Sequence, residues 1–384
     1  MTLSPPPPGA DLWEGAADGE RRRAFLSAVL GRPSSSLDTS LQPRAAWAFL
    51  ALAIRRELGY PVVVITPHPG DLDLWPLDLH TLSPHGLSGM LLFPPPDPPP
   101  EKGAPPGENA GERIRTMAAL AGPIDAPFVL VTCPTALLHP VPDPQALTSA
   151  RLVLSPGAAE PSFDQTIAYL ERSGYRFESE VHEPGEATRR GGLLDIWPTT
   201  EAEPVRIEFF GSRVDAIRSF DPETQRSRHS LDQVVLWPVT EEAHPLRERE
   251  ARHHLFECLP PETLLLWCEY PELEPEGPIP NAVPFPMTWA TTLADQRGFR
   301  QIRGRLAVAD DPFDFTFLPS VASAGPEGFS PDTLARQRAE LLERLLRQAM
   351  AGHRVVLFLE TEGSLQRFLE TAPSDFKARV VIRL

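Results

Sequence analysis

The hydrophobic period of this chain changes near residue 150, and that change limits the folds open to it. Before it, helical periodicity alternates with short β-branched runs. QPRAAWAFLALAIRREL (42–58) reads as a helix, with Pro43 in its first turn and arginines at its end. YPVVVITP (60–67) reads as a buried strand. RIRTMAALAG (113–122) and APFVLVTCP (126–134) repeat the pair. Helices feeding apolar strands predict an α/β domain over 1–147. RRRAFLSAVL (21–30) reads as a further short helix, and PPPDPPP (94–100), with its flanks to Asn109, as an exposed Pro/Gly-rich loop.

Beyond 150 one helix, SFDQTIAYLERSG (162–174), carries Ser162 as its N-cap and a closing glycine. Strand-like runs then follow closely: YRFESEV (175–181), GLLDIWP (192–198), VRIEFF (205–210), RVDAIRSF (213–220) and QVVLWP (233–238). Gly211-Ser212 between two alternating runs is a hairpin signal. A small antiparallel β domain is therefore expected over 150–245. α/β character returns over 250–325 with ETLLLWCEY (262–270). A second α/β unit begins over 330–384, with a helix at 330–352, the strand RVVLFLE (354–360), the helix SLQRFLE (364–370) and the strand ARVVIRL (378–384). A chain stopping in a strand is expected to be a piece of a longer protein.

The search for chemistry is mostly negative. The formal charge is −16, which argues against nucleic acid or an anionic membrane as the main partner of the whole chain. Of 36 basic residues only Lys102 and Lys377 are lysines, and neither has P-loop glycines before it or Ser/Thr after it. GRPSSSLDTSLQP (31–43), where a phosphate loop would precede the first long helix, reads as a capping loop. LLLWCEYPE (264–272) has Cys268 where a metal-binding aspartate would stand, so it reads as a core strand. Cys133 reads as buried packing, His253-His254 as surface histidines, and no Cys/His spacing fits zinc. No catalytic residue, metal or cofactor is expected in this stretch. The three cysteines, without a signal segment at the N-terminus, fit a reducing cytoplasm, and a monomer is expected.

One basic cluster stands out in so acidic a chain. Arg189-Arg190-Gly191-Gly192 opens the strand that ends in Trp197-Pro198. With Asp195, Arg206, Glu208, Phe210, Asp215 and Phe220-Asp221, the stretch 174–227 resembles the second domain of the repair protein UvrB. It resembles still more the matching domain of the transcription-repair coupling factor family (Mfd).

That resemblance implies a degenerate helicase-like (RecA-like) parallel-sheet domain, formed by 1–147 and 250–325, with the β domain inserted. It implies that the β domain binds UvrA, the damage-recognition subunit of nucleotide excision repair, through Arg176, Arg189, Arg190 and Trp197. The Thr-Arg-Arg-Gly order puts one arginine a residue away from its place in UvrB, which on a strand turns it to the other face. RNA polymerase, DNA, ATP and magnesium would engage motor domains outside this sequence. Two alternatives stay open: an ATP-dependent UvrB-like helicase subunit, and a DNA-binding helicase remnant.

Overall fold

The computed structural model describes residues 36–39, 44–83, 89–97, 107–124, 126–241, 243, 252–269, 298–305, 331–352, 355–359 and 362–383. The chain divides into two compact units, one of 32–76 and 88–309, the other of 1–31, 77–87 and 310–384.

The larger unit is built on a parallel sheet of β1 (Ser36–Thr39), β2 (Val62–Ile65), β3 (Met90–Phe93), β4 (Val129–Thr132), β15 (Leu264–Trp267) and β16 (Arg300–Gly304). Their order is β1-β16-β15-β2-β4-β3, with every neighbour parallel. The central strands β2, β4 and β15 are buried along their whole length, as parallel strands covered on both faces must be. Helix α1 (Arg44–Leu58) buries Trp47, Ala48, Leu50, Ala51 and Ile54. A 3-10 turn (Pro69–Leu74) leads into α2 (Trp75–Leu82).

Helix α3 spans Glu108–Ala121, a turn longer than the periodicity indicates. The proline-rich segment supplies the reason: Asp97 accepts a hydrogen bond from the Ala110 amide at 2.9 Å, and Asn109 donates to the Pro95 carbonyl at 3.0 Å.

After β4 the chain passes through α4 (Pro134–Leu137), β5 (Val141–Pro142) and α5 (Pro144–Ala150) into the β domain. There β6 (Leu152–Leu154) pairs antiparallel with β13 (Val234–Leu236). Between them lies a second sheet of β7 (Arg176–Phe177), β8 (Glu186–Arg190), β9 (Leu193–Ile196), β10 (Val205–Phe210), β11 (Arg213–Phe220) and β12 (Ser227–Ser230). Its order is β12-β11-β10-β9-β8-β7, antiparallel except for β7 beside β8. Helix α6 (Phe163–Arg172) begins with a capping box in which Ser162 and Gln165 satisfy each other's backbone amides. Its Ile167, Tyr169 and Leu170 pack on Ala187, Leu194, Ile196, Val205, Ile207 and Ile217.

The β domain is fastened to α3. The Arg113 guanidinium, buried beside the Phe93 ring, pairs with Glu241 at 3.0 Å and donates to the Pro94 carbonyl at 2.8 Å. Arg115 donates to the Thr199 carbonyl at 3.1 Å.

The chain returns through β14 (Arg252–His253), which pairs antiparallel with β5, so the neck of the insertion is a two-strand clasp. His253, read from the sequence as a surface residue, sits between two carboxylates. Nδ1 is 2.9 Å from Glu257 and Nε2 is 3.1 Å from Asp143, which also caps α5. His254 is buried. The hydrogen bond to Glu257 raises the His253 pKa, partial desolvation opposes it, and Asp143 adds to the rise.

A raised pKa in the folded state gives stability that is complete below the unfolded value near ~6.5 and is lost as pH rises through the folded value. Hydrogen exchange at the neck, corrected for intrinsic base catalysis, is expected to quicken a few-fold between about pH 6 and about pH 8, matching roughly 0.5–1 kcal/mol. In His253→Gln that corrected dependence disappears. A corrected rate flat with pH in the wild type excludes the clasp as a titrating element.

In the smaller unit, α7 (Pro331–Met350) ends at Gly352, whose φ of +91° closes the turn. Strands β17 (Val356–Phe358) and β18 (Val381–Arg383) pair in parallel, joined by α8 (Glu362–Thr371) and the short α9 (Ser374–Arg379). Buried Phe376 meets Phe368 with centroids 5.8 Å apart.

Three further points depart from the reading of the sequence. Ser36–Thr39 is the edge strand β1, parallel to β16, and not part of a capping loop; its pairing partner lies more than two hundred residues away in the chain. YRFESEV pairs only over Arg176–Phe177, because Glu186 draws the following residues into a turn by accepting the amides of His182 and Glu183. RQIRG (300–304), in a stretch without period, is a strand of the parallel sheet. The helix expected over 21–30 lies outside the described residues.

Candidate partner-binding face of the β domain

The register of the second sheet decides which side chains share a face. Thr188 pairs with Asp195 and Arg190 with Leu193; on the next strand Arg206 pairs with Asp195 and Glu208 with Leu193. Alternation puts Ala187, Leu194, Ile196, Val205 and Ile207 against the core and leaves the set above outward. Arg176 joins the outward set beside Glu186 on the neighbouring strand. Trp197 continues the Leu193–Asp195 row, and its indole Nε1 donates to the Glu201 carbonyl at 3.2 Å.

Three of the four residues singled out from the sequence, Arg176, Arg190 and Trp197, thus lie on one face. Arg189 pairs with core-facing Leu194 and lies on the other face at the strand end. It is exposed, with no ion pair among the described residues.

The charges of this face are paired locally. Arg176 lies 2.9 Å from Glu186, 3.6 Å from Glu178 and 3.8 Å from Glu183. Arg190 donates to the Ser179 carbonyl at 2.9 Å and meets Glu180 at 3.2 Å. Asp195 is gripped at both oxygens by Arg206, at 2.7 and 2.8 Å, and its hydrogen bond raises the Arg206 pKa against partial burial. Arg206 also donates to the Gln225 carbonyl at 3.2 Å and stacks over Phe220. Arg218 pairs with Glu208.

Two residues of this face carry more than the sequence reading gave them. Phe210, at the end of β10, is 84% exposed, the most exposed of the large apolar side chains described. Leu193 is also exposed in its neighbourhood, since the Phe209 amide donates to the Gly192 carbonyl at 2.8 Å across the two hairpin ends. The signal was present in VRIEFF: positions 206, 208 and 210 alternate outward, so the last phenylalanine before the Gly-Ser turn cannot join the core. Gly192 is confined by that contact, because a Cβ there would lie 2.8 Å from the Phe209 carbonyl oxygen. Gly192→Ala is expected to destabilise the β domain by about 1–3 kcal/mol, read from its urea midpoint; a change below about 0.5 kcal/mol would show that the hairpins adjust.

In the parallel sheet, the carboxyl ends of β2 and β15 open on a cleft of about 280 Å³ lined by Arg44, Trp47, Thr66, Asp71, Trp75, Cys268 and Glu269 among others. No lysine lines it. Cys133 is fully buried, and burial pushes its thiol up to about 11, as packing rather than nucleophilic chemistry requires. Among the described helices none is long and apolar enough to cross a membrane.

The outward face belongs to a segment of recognisable class: residues 154–241 match the family model of the UvrB interaction domain. Parts of the chain are also similar to curated proteins. The chain is 36% identical over 118 residues to the transcription-repair-coupling factor of Bacillus subtilis (strain 168), covering 30% of this chain and 10% of that protein. It is 36% identical over 143 residues to that of Staphylococcus aureus (strain Mu50 / ATCC 700699), covering 37% and 12%. With that of Mycobacterium tuberculosis (strain CDC 1551 / Oshkosh) it shares 31% over 233 residues, 59% of this chain and 18% of the relative. The matched regions thus span only 10 to 18% of the length of these relatives.

Proposed function

We propose that this chain is a UvrB-like recruiting module for transcription-coupled DNA repair, and that its β domain binds UvrA by protein–protein contact. The observation that carries the reading is the outward face itself. Arg176, Arg190 and Trp197 share it with a phenylalanine 84% exposed, within the segment that matches the UvrB interaction domain. Arginine forks recognise carboxylates, and an exposed aromatic supplies a desolvated anchor. On this reading RNA polymerase and DNA are engaged by other parts of the full protein.

The parallel-sheet unit is proposed as a helicase-like domain that no longer turns over ATP. Supporting this, the cleft at its strand ends has no lysine for the phosphates among the described residues, and Cys268, not a carboxylate, follows β15. Magnesium-ATP at millimolar concentration is expected to leave the thermal midpoint unchanged; a reproducible rise would show nucleotide binding and favour the helicase-subunit alternative.

Titration calorimetry against UvrA tests the main reading. Binding at micromolar affinity or tighter is expected. Arg190→Ala and Phe210→Ala are each expected to weaken it at least ~10-fold, about 1.4 kcal/mol. Both side chains are exposed, so the substitutions leave the core intact. Arg176→Ala is a poorer probe, because it strips the nearest cation from the nearly buried Glu186 carboxylate. Folded wild type that does not bind UvrA overturns the proposal.

A further inference from the structure

The segment between β7 and β8 reads ESEVHEPG (178–185) and carries Glu178, Glu180 and Glu183, with Glu186 just after it. Three of these four carboxylates lie within 3.8 Å of Arg176, and Glu180 is on Arg190. The segment is not loosely attached. Val181 is fully buried, and Gln225 donates to its carbonyl at 3.2 Å. The Ser179 carbonyl accepts from Thr188 and Arg190. Glu186 takes the amides of His182 and Glu183 at 2.8 and 3.0 Å, which fixes the turn that presents Glu183.

We infer that residues 178–185 form an acidic strap that occupies the arginine forks of the outward face and must be displaced by an incoming partner's carboxylates. The inference rests on the partner-binding reading above and adds the element that tunes it. The strap divides into an anchor and a competitor. Glu186 and Val181 are buried and hold it in place. Glu180 and Glu183, with side chains 47% and 63% exposed, reach the guanidinium groups from the solvent side, where a partner would approach.

An exposed ion pair contributes little to folding, so Glu180 and Glu183 are removable without harm to the domain. The same weakness makes them displaceable. The partner that fits is an acidic protein surface able to present two or more carboxylates at once, since a single carboxylate only exchanges one pair for another. His182, 3.6 Å from Glu180, and Arg190 are the charged groups facing Glu180, while Arg176 faces Glu183.

The test is the double variant Glu180→Gln/Glu183→Gln in the full 384-residue chain. Its control, Glu171→Gln/Glu262→Gln, makes the same charge change at exposed positions away from the strap. Two readouts are taken: affinity for UvrA at low and high salt, and the rate at which phenylglyoxal modifies Arg190, followed by mass spectrometry. The strap variant is expected to bind UvrA roughly 2- to 5-fold more tightly than the control at low salt, the difference shrinking as salt screens the pairs. Arg190 is expected to react faster by a similar factor. Unchanged Arg190 reactivity, or, where the control binds UvrA, binding by the strap variant equal to or weaker than the control's, overturns the strap. Faster Arg190 reactivity with no UvrA binding by any variant upholds the strap as a cover of the arginine and overturns the choice of partner instead.

Discussion

Arg113→Met is expected to destabilise the larger unit by about 3–5 kcal/mol, lowering its thermal midpoint by roughly 6 °C or more. Arg113 is 1% exposed, and its partner Glu241 12%. The guanidinium joins three segments far apart in the chain: α3 through its backbone, the end of β3 through the Pro94 carbonyl, and the exit from the β domain through Glu241. It also lies 4.1 Å from the Phe93 ring centroid. Methionine fills much of the volume but takes the Arg113 cation away from the poorly hydrated Glu241 carboxylate and breaks the bond to the Pro94 carbonyl, and these two losses are the main cost.

The companion Arg113→Met/Glu241→Leu should therefore recover most of the loss, because the desolvation cost of both ions vanishes together. Denaturant unfolding followed by circular dichroism reads both variants. A loss below about 1 kcal/mol in the single variant would show that water reaches Glu241. The pair has a second readout. His139 is held down to about 4, by burial first and the nearby Arg113 charge second. Its titration by NMR should move up toward the ordinary range when Arg113 is replaced.

Asp195→Ala is expected to cost the β domain about 2–3 kcal/mol, somewhat less than a fully buried pair because Arg206 keeps partial access to water. The Asp195 carboxylate is nearly buried and accepts both forks of Arg206 across the β9–β10 register. Arg206 in turn holds the Gln225 carbonyl, and Gln225 is the described non-glycine residue with positive φ, at 59°. Losing Asp195 thus loosens the turn between β11 and β12 as well as the strand pair. Asp195→Asn keeps the shape and loses the charge, so it should fall between the wild type and alanine. A double cycle with Arg206→Ala should return a coupling of at least ~1 kcal/mol; additivity would mean that the fork contributes no net energy.

The α/β layering and the closely paired strands were legible because each element carries its own period. VVVI and VLVT can only be buried strands, Ser162 and Gln165 spell a capping box, and Gly211-Ser212 joins two alternating runs. Elements that depend on distant partners were not legible. SLDT and RQIRG have no strand pattern of their own; SLDT is a strand because RQIRG lies beside it, and RQIRG because β1 and β15 flank it. EATRR became a strand from a segment without alternation, pairing with β9 on one side and β7 on the other.

For the candidate face, strand parity foretold that Arg189 and Arg190 would part company. What parity cannot show is where charge is already satisfied. The four glutamates from 178 to 186 carry no motif of their own, yet each has a specific arginine within reach. The exposure of Phe210, by contrast, was open to the same parity, in the alternation of VRIEFF.

The pairing of β6 with β13 has a consequence for ancestry and for engineering. Leu152 lies opposite Leu236, so the chain enters and leaves the β domain through positions about 5 Å apart. A cassette whose two ends are neighbours can be lifted out and its host resealed with a few residues, or set into a different host, at small entropic cost. The outward face could in this way travel from one host domain to another as a unit. Two ties to the host's α3 have to be cut with care: the hydrogen bond from Arg115 to the Thr199 carbonyl, and the salt bridge from Arg113 to Glu241, which a graft must carry along or replace with apolar side chains.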